Sequence, residues 1–323
     1  MDLSGSTILL TGGTGSFGNA FVERVLSRWS DVVIRVYSRD ELKQVEMRTK
    51  LGDEQIRFFI GDVRDRNRLT RAAQGADFIV HAAAMKQVPV CEYNPSEAIQ
   101  TNVVGAQNVV DAAIDAGVNK VVALSTDKAV NPVNLYGATK LCAEKVIVQG
   151  NAYAAGGETR LSCVRYGNVV GSRGSVVPLF RDQATRGAIT ITDERMTRFW
   201  ITLPQSVDLV LYALEHMNGG EIFIPKIPSM RVVDLADAMA PGSSHEIIGI
   251  RPGEKLHEVL LTVDENRHAI MVDDVYVVLP EHPWWTDHPR WADGKPLEDG
   301  FMYSSDQNDW WLTRDDLVAL LAQ

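Results

Sequence analysis

The chain has only three cysteines in 323 residues, Cys91, Cys142 and Cys163, and they are scattered. They form no disulfide framework, show no metal-ligand spacing and suit a reducing compartment. No run of eighteen apolar residues occurs, so no hydropathic membrane span is expected. Positive charge is in short supply: 32 Lys and Arg stand against 42 Asp and Glu, for a formal net charge of −10. That balance argues against nucleic acid as a partner. An anionic small molecule would need a local cationic pocket. The N-terminal residues run straight into an apolar strand pattern and show no signal-peptide pattern, so a cytoplasmic protein is expected. Repeats and low-complexity tracts are missing too. The length suffices for one large core or two smaller ones.

The most informative segment is Ser125-Thr126-Asp127-Lys128, followed by Tyr136-Gly137-Ala138-Thr139-Lys140. Tyr136 and Lys140, four apart, share one helical face. An ammonium beside a phenol lowers the phenol's pKa. A phenol so placed can take a proton from a substrate alcohol as hydride leaves the same carbon. Thr126 closes the strand-like run Val121–Ser125 and can steady the same hydroxyl. Asp127 and Lys128 add an acid and a base, which is more than alcohol oxidation needs. They point to a second chemical step. A Tyr-x-x-x-Lys spacing by itself is most often a solvated helix face; its context here decides otherwise.

That context is the loop Thr11-Gly12-Gly13-Thr14-Gly15-Ser16-Phe17-Gly18, after the apolar run Thr7–Leu10 and before a helical pattern through Leu26. Glycines at this spacing allow a tight turn, close approach to a pyrophosphate and close helix–strand packing. The helix N-terminus then faces the anion. The second strand pattern, Val32–Tyr37, ends in Ser38-Arg39, with Lys43 one turn further. An NAD site usually places an acid there for the ribose 2′-hydroxyl. Two cations and a hydroxyl suit a 2′-phosphate, so NADP is expected. Asp40 counts the other way, since a shift of one residue would bring it to the ribose.

Further strands are expected at Ile56–Ile60, Asp77–Ala82, Val121–Ser125 and Leu161–Tyr166, with helices between them and one opening at Asn94-Pro95. This alternation predicts an α/β fold with a parallel, doubly wound Rossmann sheet. Asp62 and Val63, then His81-Ala82-Ala83, fall at strand ends, where such sheets bind ligands. Asp62 can meet the adenine, and the small residues leave room for the cofactor. After about Gly167 the pattern breaks into short pieces. A smaller, interwoven α/β substrate-binding domain is expected over 167–198 and 226–323. The Rossmann domain would be 1–166, with returns near 199–225. The second part offers Arg173, Arg198, Arg251, Glu254 and Lys255. The run Arg251–Lys255 is expected to open a helix where a diphosphate would be welcome.

These residues together resemble the extended short-chain dehydrogenase/reductases. Within them the chain is similar to the inverting UDP-N-acetylglucosamine 4,6-dehydratases that begin pseudaminic acid synthesis. The resemblance covers nearly the whole chain. It is carried by TGGTGSFG, SRDELKQ, GDVRD, HAAAMKQVP, ALSTDKAVNPVNLYGATK, VRYGNVVGSRGSVVP, MTRFWI, IPKIPSM, IIGIRPGEKLHE and YSS. The glycine loop is shared with many relatives; STDK with YGATK, RYGNVVGSRGSVVP and IRPGEKLHE are more specific. Glucose-type 4,6-dehydratases carry Asp-Glu where this chain has Asp127-Lys128. Membrane-bound retaining relatives have Met in place of Tyr136.

The resemblance implies that Lys128 removes H5 of UDP-GlcNAc and that Asp127 helps expel the C6 hydroxyl. Thr126, Tyr136 and Lys140 serve oxidation at C4. It implies that Lys86, Asn168, Val176, Arg198, Arg251 and Glu254 line the cofactor and UDP-sugar site, in a homo-oligomer. The C4 ketone acidifies H5, water leaves across C5–C6, hydride returns to C6 and a proton to C5, with inversion at C5. Lys128 must be neutral to act as a base, against an ordinary pKa of about 10.4. Lys140 and the nicotinamide cation are expected to push it that way, with Asp127 and Lys128 titrating as a coupled pair. The stretch Pro280–Gly294, rich in Trp and His, departs from the family pattern. Packing or a subunit contact is expected there, and no metal site from His282 and His288. Three rivals stand beside this reading: a retaining 4,6-dehydratase or a 5,6-dehydratase, a UDP-sugar 4-epimerase, and a non-catalytic NADP-sensing protein.

Overall fold

The structure is a computed structural model that describes residues 1–154, 158–172, 176–281 and 291–321. Apolar strands and helices alternate from the N-terminus. They run β1 (Thr7–Thr11), α1 (Ser16–Arg28), β2 (Val33–Ser38), α2 (Glu41–Leu51), β3 (Ile56–Ile60), α3 (Arg66–Ala73) and β4 (Phe78–His81). Then come α4 (Val88–Tyr93), α5 (Pro95–Ile99), a π-turn over Gln100–Val104, α6 (Gly105–Ala116), β5 (Lys120–Leu124), a 3₁₀ turn over Asp127–Ala129, α7 (Leu135–Tyr153) and β6 (Arg160–Val164). The six strands pair in parallel in the order β3-β2-β1-β4-β5-β6. Residues such as Leu9, Leu10, Ile79, Val121 and Val122 are fully buried, as strands covered on both faces require. Parallel pairing brings the C-terminal ends of β1, β4, β5 and β6 to one edge, where the functional loops follow.

The second part is shorter-pieced, as expected. It holds β7 (Asn168–Val169), α8 (Val176–Ala184), β8 (Ala188–Ile191), β9 (Thr197–Ile201), α9 (Leu203–His216), β10 (Ile222–Pro225), β11 (Ser229–Arg231) and α10 (Val232–Met239). It continues with β12 (Ser244–Ile247), β13 (Val259–Leu261), α11 (Val263–Asn266), β14 (Ala269–Val272), β15 (Val275–Val278), β16 (Lys295–Pro296), β17 (Tyr303–Ser304) and α12 (Arg314–Leu321). Helix α9 starts at a capping box, with Thr202 and Gln205 each accepting from the other's backbone N–H. Small sheets β11-β9-β7 and β12-β8 contribute to a second apolar core that includes Phe180, Ile189, Ile191, Trp200 and Leu235, while β13-β17 packs on the main core through Leu260, Leu261 and Tyr303.

The expected domain limits need one correction. Strand β10 adds to β6 in parallel, and β15, β14 and β16 then continue the same sheet antiparallel, to ten strands. Residues 269–278, expected in the substrate-binding part, therefore belong to the central sheet. The cause is a tight hairpin. Asp273 takes a positive φ of 54°, and apolar Ala269–Val272 and Val275–Val278 pair across it as an extension of the main core.

Candidate active site

The glycine loop forms a cradle at the β1–α1 junction. Gly12 has φ +68°, and a Cβ there would lie 2.8 Å from the Ala83 nitrogen, so only glycine lets the loop after β4 come this close. Gly15 caps α1 without a side-chain bond, and the first turn of α1 carries no acidic residue. Gly18 packs the helix onto Gly13: a Cβ would come 2.2 Å from the Gly13 carbonyl oxygen. Thr14 is buried and Ser16 opens the helix, while the Phe17 ring stacks on Phe21 at 5.8 Å. Helix N–H groups with no acid among them suit a pyrophosphate. The residues present fit a dinucleotide.

At the ends of β2 and β3, several expected contacts are taken up within the protein. Ser38 is buried, and its Oγ accepts from Gln44 Nε2 at 2.9 Å. Asp40 caps α2, accepting from the Lys43 backbone N–H at 3.1 Å, and pairs with Lys43 Nζ at 2.6 Å. Asp40 is thus held by its own helix, and Lys43 does not stand as an unpaired cation. Arg39 is exposed, 3.8 Å from Asp62. Asp62 accepts from the Arg64 backbone at 3.0 Å and from its Nε at 2.9 Å. Burial raises its carboxyl, and the Arg64 bonds outweigh this and lower it. Val63 is buried against Gly105.

The loop after β4 is held by residues that sequence reasoning missed. Ala82 N donates to Thr11 O at 3.2 Å. The π-turn aims Asn102 at this loop. Its Oδ1 accepts from Met85 N at 2.8 Å, and its Nδ2 donates to Met85 O at 2.9 Å and to Thr139 Oγ1 at 3.0 Å. Asn102 therefore ties the segment carrying Lys86, which is exposed, to the helix carrying Tyr136 and Lys140.

The strand-end chemistry converges. Asn134 caps α7 by accepting from Gly137 N at 2.8 Å, and its Nδ2 donates to Gly253 O at 2.8 Å. Tyr136 and Lys140 lie buried one turn apart. Thr126 Oγ1 donates to Asp127 Oδ1 at 2.8 Å. Asp127 is fully buried, and its Oδ2 has no hydrogen-bond partner among the described residues. Lys128 Nζ donates to Asp127 Oδ1 at 3.0 Å and to Asn168 Oδ1 at 3.3 Å. Burial pushes the Tyr136 phenol up and outweighs the Lys128 ammonium and a hydrogen bond with Thr126, which pull it down, leaving it at about 12. Lys140 donates to Leu124 O at 2.7 Å, and burial holds it below the ordinary lysine range. The leading cation acting on the phenol is Lys128, where Lys140 was expected.

Among the protein's own groups, the balance at Lys128 runs against the expected neutral amine. Burial lowers it, but Asp127 and then Glu258 more than offset this, and it stands well above the ordinary lysine range. Glu258 was not singled out from the sequence. It is buried, with Oε1 3.4 Å from Lys128 Nζ. It closes the same IRPGEKLHE stretch that contains Glu254.

Among the expected diphosphate ligands, Arg198 is turned inward. Its Nη1 donates to Thr197 O at 2.7 Å and Leu256 O at 3.1 Å, and its Nη2 to Lys255 O at 3.0 Å. It shapes the 255–256 turn. Arg251 is half exposed, 3.8 Å from Glu254. The stretch 251–255 is a turn and not the start of a helix, because Gly253 takes φ +79°. Val176 is the first residue of α8. Arg173, His282 and His288 lie outside the described residues. Among the described residues no cluster of three His, Cys, Asp or Glu could hold a metal ion, and no helix is long and apolar enough to cross a membrane.

A doubly wound sheet with a glycine cradle and a buried Tyr–Lys helix defines a Rossmann-type enzyme of the short-chain dehydrogenase/reductase class. Two solved structures share its fold. One is the X-ray structure of Pen from Bacillus thuringiensis, 39% identical, TM-score 0.91, covering 100% of this chain and 98% of that one. The other is DesIV, a dTDP-glucose 4,6-dehydratase from Streptomyces venezuelae with NAD and TYD bound, 26% identical, TM-score 0.69, covering 77% and 86%. The chain belongs to the family described as polysaccharide biosynthesis protein, whose model matches residues 8–280. A relative from Campylobacter jejuni subsp. jejuni serotype O:23/36 (strain 81-176), named UDP-N-acetylglucosamine 4,6-dehydratase (inverting), is 50% identical over 98% of both chains. A relative from Rickettsia conorii (strain Malish 7), named UDP-glucose 4-epimerase, is 48% identical over 84% of this chain and 82% of that one.

Proposed function

We propose that this protein is an inverting UDP-N-acetylglucosamine 4,6-dehydratase that works with NADP. The observation that carries the reading is the pair formed by buried Asp127 and part-exposed Lys128 beside Tyr136, with Asp127 Oδ2 unpartnered among the described residues. The similarity to the Campylobacter enzyme, near 50% over almost the full length of both chains, supports it. Gly12, Gly15 and the N-terminus of α1 would hold the dinucleotide, which when bound would supply a reversible hydride acceptor. Exposed Arg39 and the engagement of Asp40 in capping α2 support a 2′-phosphate there.

Tyr136, steadied by Thr126, takes the proton from the 4-hydroxyl. The resulting ketone acidifies H5, and Lys128 removes it. Asp127 protonates the C6 oxygen, and water leaves. A proton moving from Lys128 Nζ to Asp127 Oδ1 along their 3.0 Å bond makes the amine and the carboxylic acid that elimination needs. No proton from outside is required at that point. The ion pair seen in the structure is then the state left after elimination. Lys128 and Asp127 thus act as one coupled pair.

The Rickettsia name marks the second reading, a UDP-sugar 4-epimerase. That reaction uses the Tyr–Lys pair but needs no acid at O6 and no base at C5. Mass spectrometry separates the two. Purified protein given UDP-GlcNAc and no added oxidant is expected to yield a product lighter by one water. A product of unchanged mass would favour the epimerase.

A further inference from the structure

Glu258 lies just ahead of β13, far in sequence from Lys128, yet it closes the space beneath that side chain. Its backbone is clamped on both sides by Ser305. Glu258 N donates to Ser305 Oγ at 2.9 Å, and Ser305 N donates to Glu258 O at 2.8 Å. Ser305 Oγ is also 2.7 Å from Thr197 Oγ1. The carboxylate is buried, and its Oε2 has no hydrogen-bond partner among the described residues. Leaving a buried carboxylate oxygen unbonded is costly. Mere packing would not select a glutamate there.

We infer that Glu258 is a positioning residue: its carboxylate fixes the Lys128 ammonium against Asp127 and Asn168 and sets the proton affinity of the Asp127–Lys128 pair. Among the described residues, five charged or titratable groups face Lys128. Lys128 faces Asp127 on its own turn, Tyr136 on α7, Arg198 on β9, and Lys255 and Glu258 before β13. Glu258 faces Lys128 at 3.4 Å, Lys255 at 3.7 Å and Arg198 at 3.9 Å. His257 turns away, with Nδ1 2.8 Å from Thr197 Oγ1. Lys128 is the nearest of the three cations. That contact gives Lys128 a second carboxylate besides Asp127, while Asp127 Oδ2 keeps no hydrogen-bond partner among the described residues.

The sign follows from the charge. An anion beside the pair raises its affinity for protons, so neutralising Glu258 lowers that affinity. Two readouts test this. The first is the pH titration of Lys128 in the free protein, read from lysine labelled with ¹³C at Cε and assigned by loss of the signal in Lys128→Met. The second is the pH profile of kcat with UDP-GlcNAc, which rests on the dehydratase reading. In the parent, Lys128 is expected to titrate above the ordinary lysine value of about 10.4. In Glu258→Gln its titration is expected to fall by about one unit, a tenfold loss of proton affinity. Both limbs of the kcat profile are expected to move to lower pH. Glu258→Asp, which keeps the charge, is expected to hold the parent profile at a reduced rate. Coincident titrations and profiles in the parent and Glu258→Gln would overturn the inference. So would a parent Lys128 that titrates at or below the ordinary value, with no variant needed. A shifted titration in a protein that removes no water from UDP-GlcNAc would support the role of Glu258 and overturn the dehydratase reading instead.

Discussion

Gly137 sits against the Lys128 carbonyl: a Cβ at Gly137 would lie 2.1 Å from that oxygen. The glycine within YGATK thus lets α7 press on the turn that carries Asp127 and Lys128. Gly137→Ala must push the two apart. Overpacking of this kind costs about 1–3 kcal/mol. A lower melting temperature and a loss of kcat larger than any change in KM are expected, by calorimetry and steady-state kinetics. A variant with parent kcat would mean that this close approach does not set the catalytic geometry.

Lys128→Ala should separate the two chemical stages. Tyr136, Thr126 and Lys140 remain, so substrate can still be oxidised at C4. Absorbance of reduced nicotinamide on the enzyme should appear on mixing with UDP-GlcNAc, while loss of water stops. Dehydration at the parent rate would place the base elsewhere, with Lys86 next to be examined.

The two arginines should differ. Arg251 is half exposed; if it holds the diphosphate as proposed, its charge-assisted bonds are worth about 1.5–3 kcal/mol. Arg251→Ala is expected to raise KM for UDP-GlcNAc roughly tenfold or more on that basis. Arg198 donates to Thr197, Lys255 and Leu256 carbonyls, so Arg198→Ala is expected mainly to lower the melting temperature. Direct calorimetric titration with UDP distinguishes them. Equal losses of UDP affinity without loss of stability would contradict this division.

Cofactor choice is tested at the end of β2. Arg39→Ala is expected to weaken NADP binding and leave NAD binding nearly unchanged. Asp40→Ala removes the cap of α2, worth about 1 kcal/mol, and is expected to change stability without changing the preference. Fluorescence titration with both dinucleotides reads this out. A switch of preference on Asp40→Ala would assign the ribose to that residue.

Much of this was legible in the residues. The six parallel strands fall within one or two residues of the predicted ones, because short runs rich in Val, Ile, Leu and Phe between turn signals mark them even where Arg35 or Arg57 interrupts. The glycine turn, and the turn and helix that carry Thr126 to Lys140, were readable because their geometry is local. What was not readable depends on long-range return of the chain. Glu258 meets Lys128 only because the segment before β13 folds back under the end of β5. Arg198 shows in the sequence as a cation, but not as one turned toward carbonyls. The 251–255 segment could open a helix with Pro252 in its first turn, yet Gly253 at a positive φ bends it into a turn that Asn134 then holds. Asn102 carried a weak signal at most, since its role arises from the π-turn that aims it.

The central claim is elimination followed by inversion at C5, and proton NMR of the reaction in deuterated water tests it most directly. With UDP-GlcNAc as substrate, one deuterium is expected at C5, and the new C6 methyl group should carry the hydrogen that began at C4. Ring couplings at the earliest times, before the product epimerises in solution, should report the L-arabino 4-ketone. An early product with only the D-xylo configuration would contradict inversion, and one that keeps its C6 hydroxyl would contradict dehydration altogether.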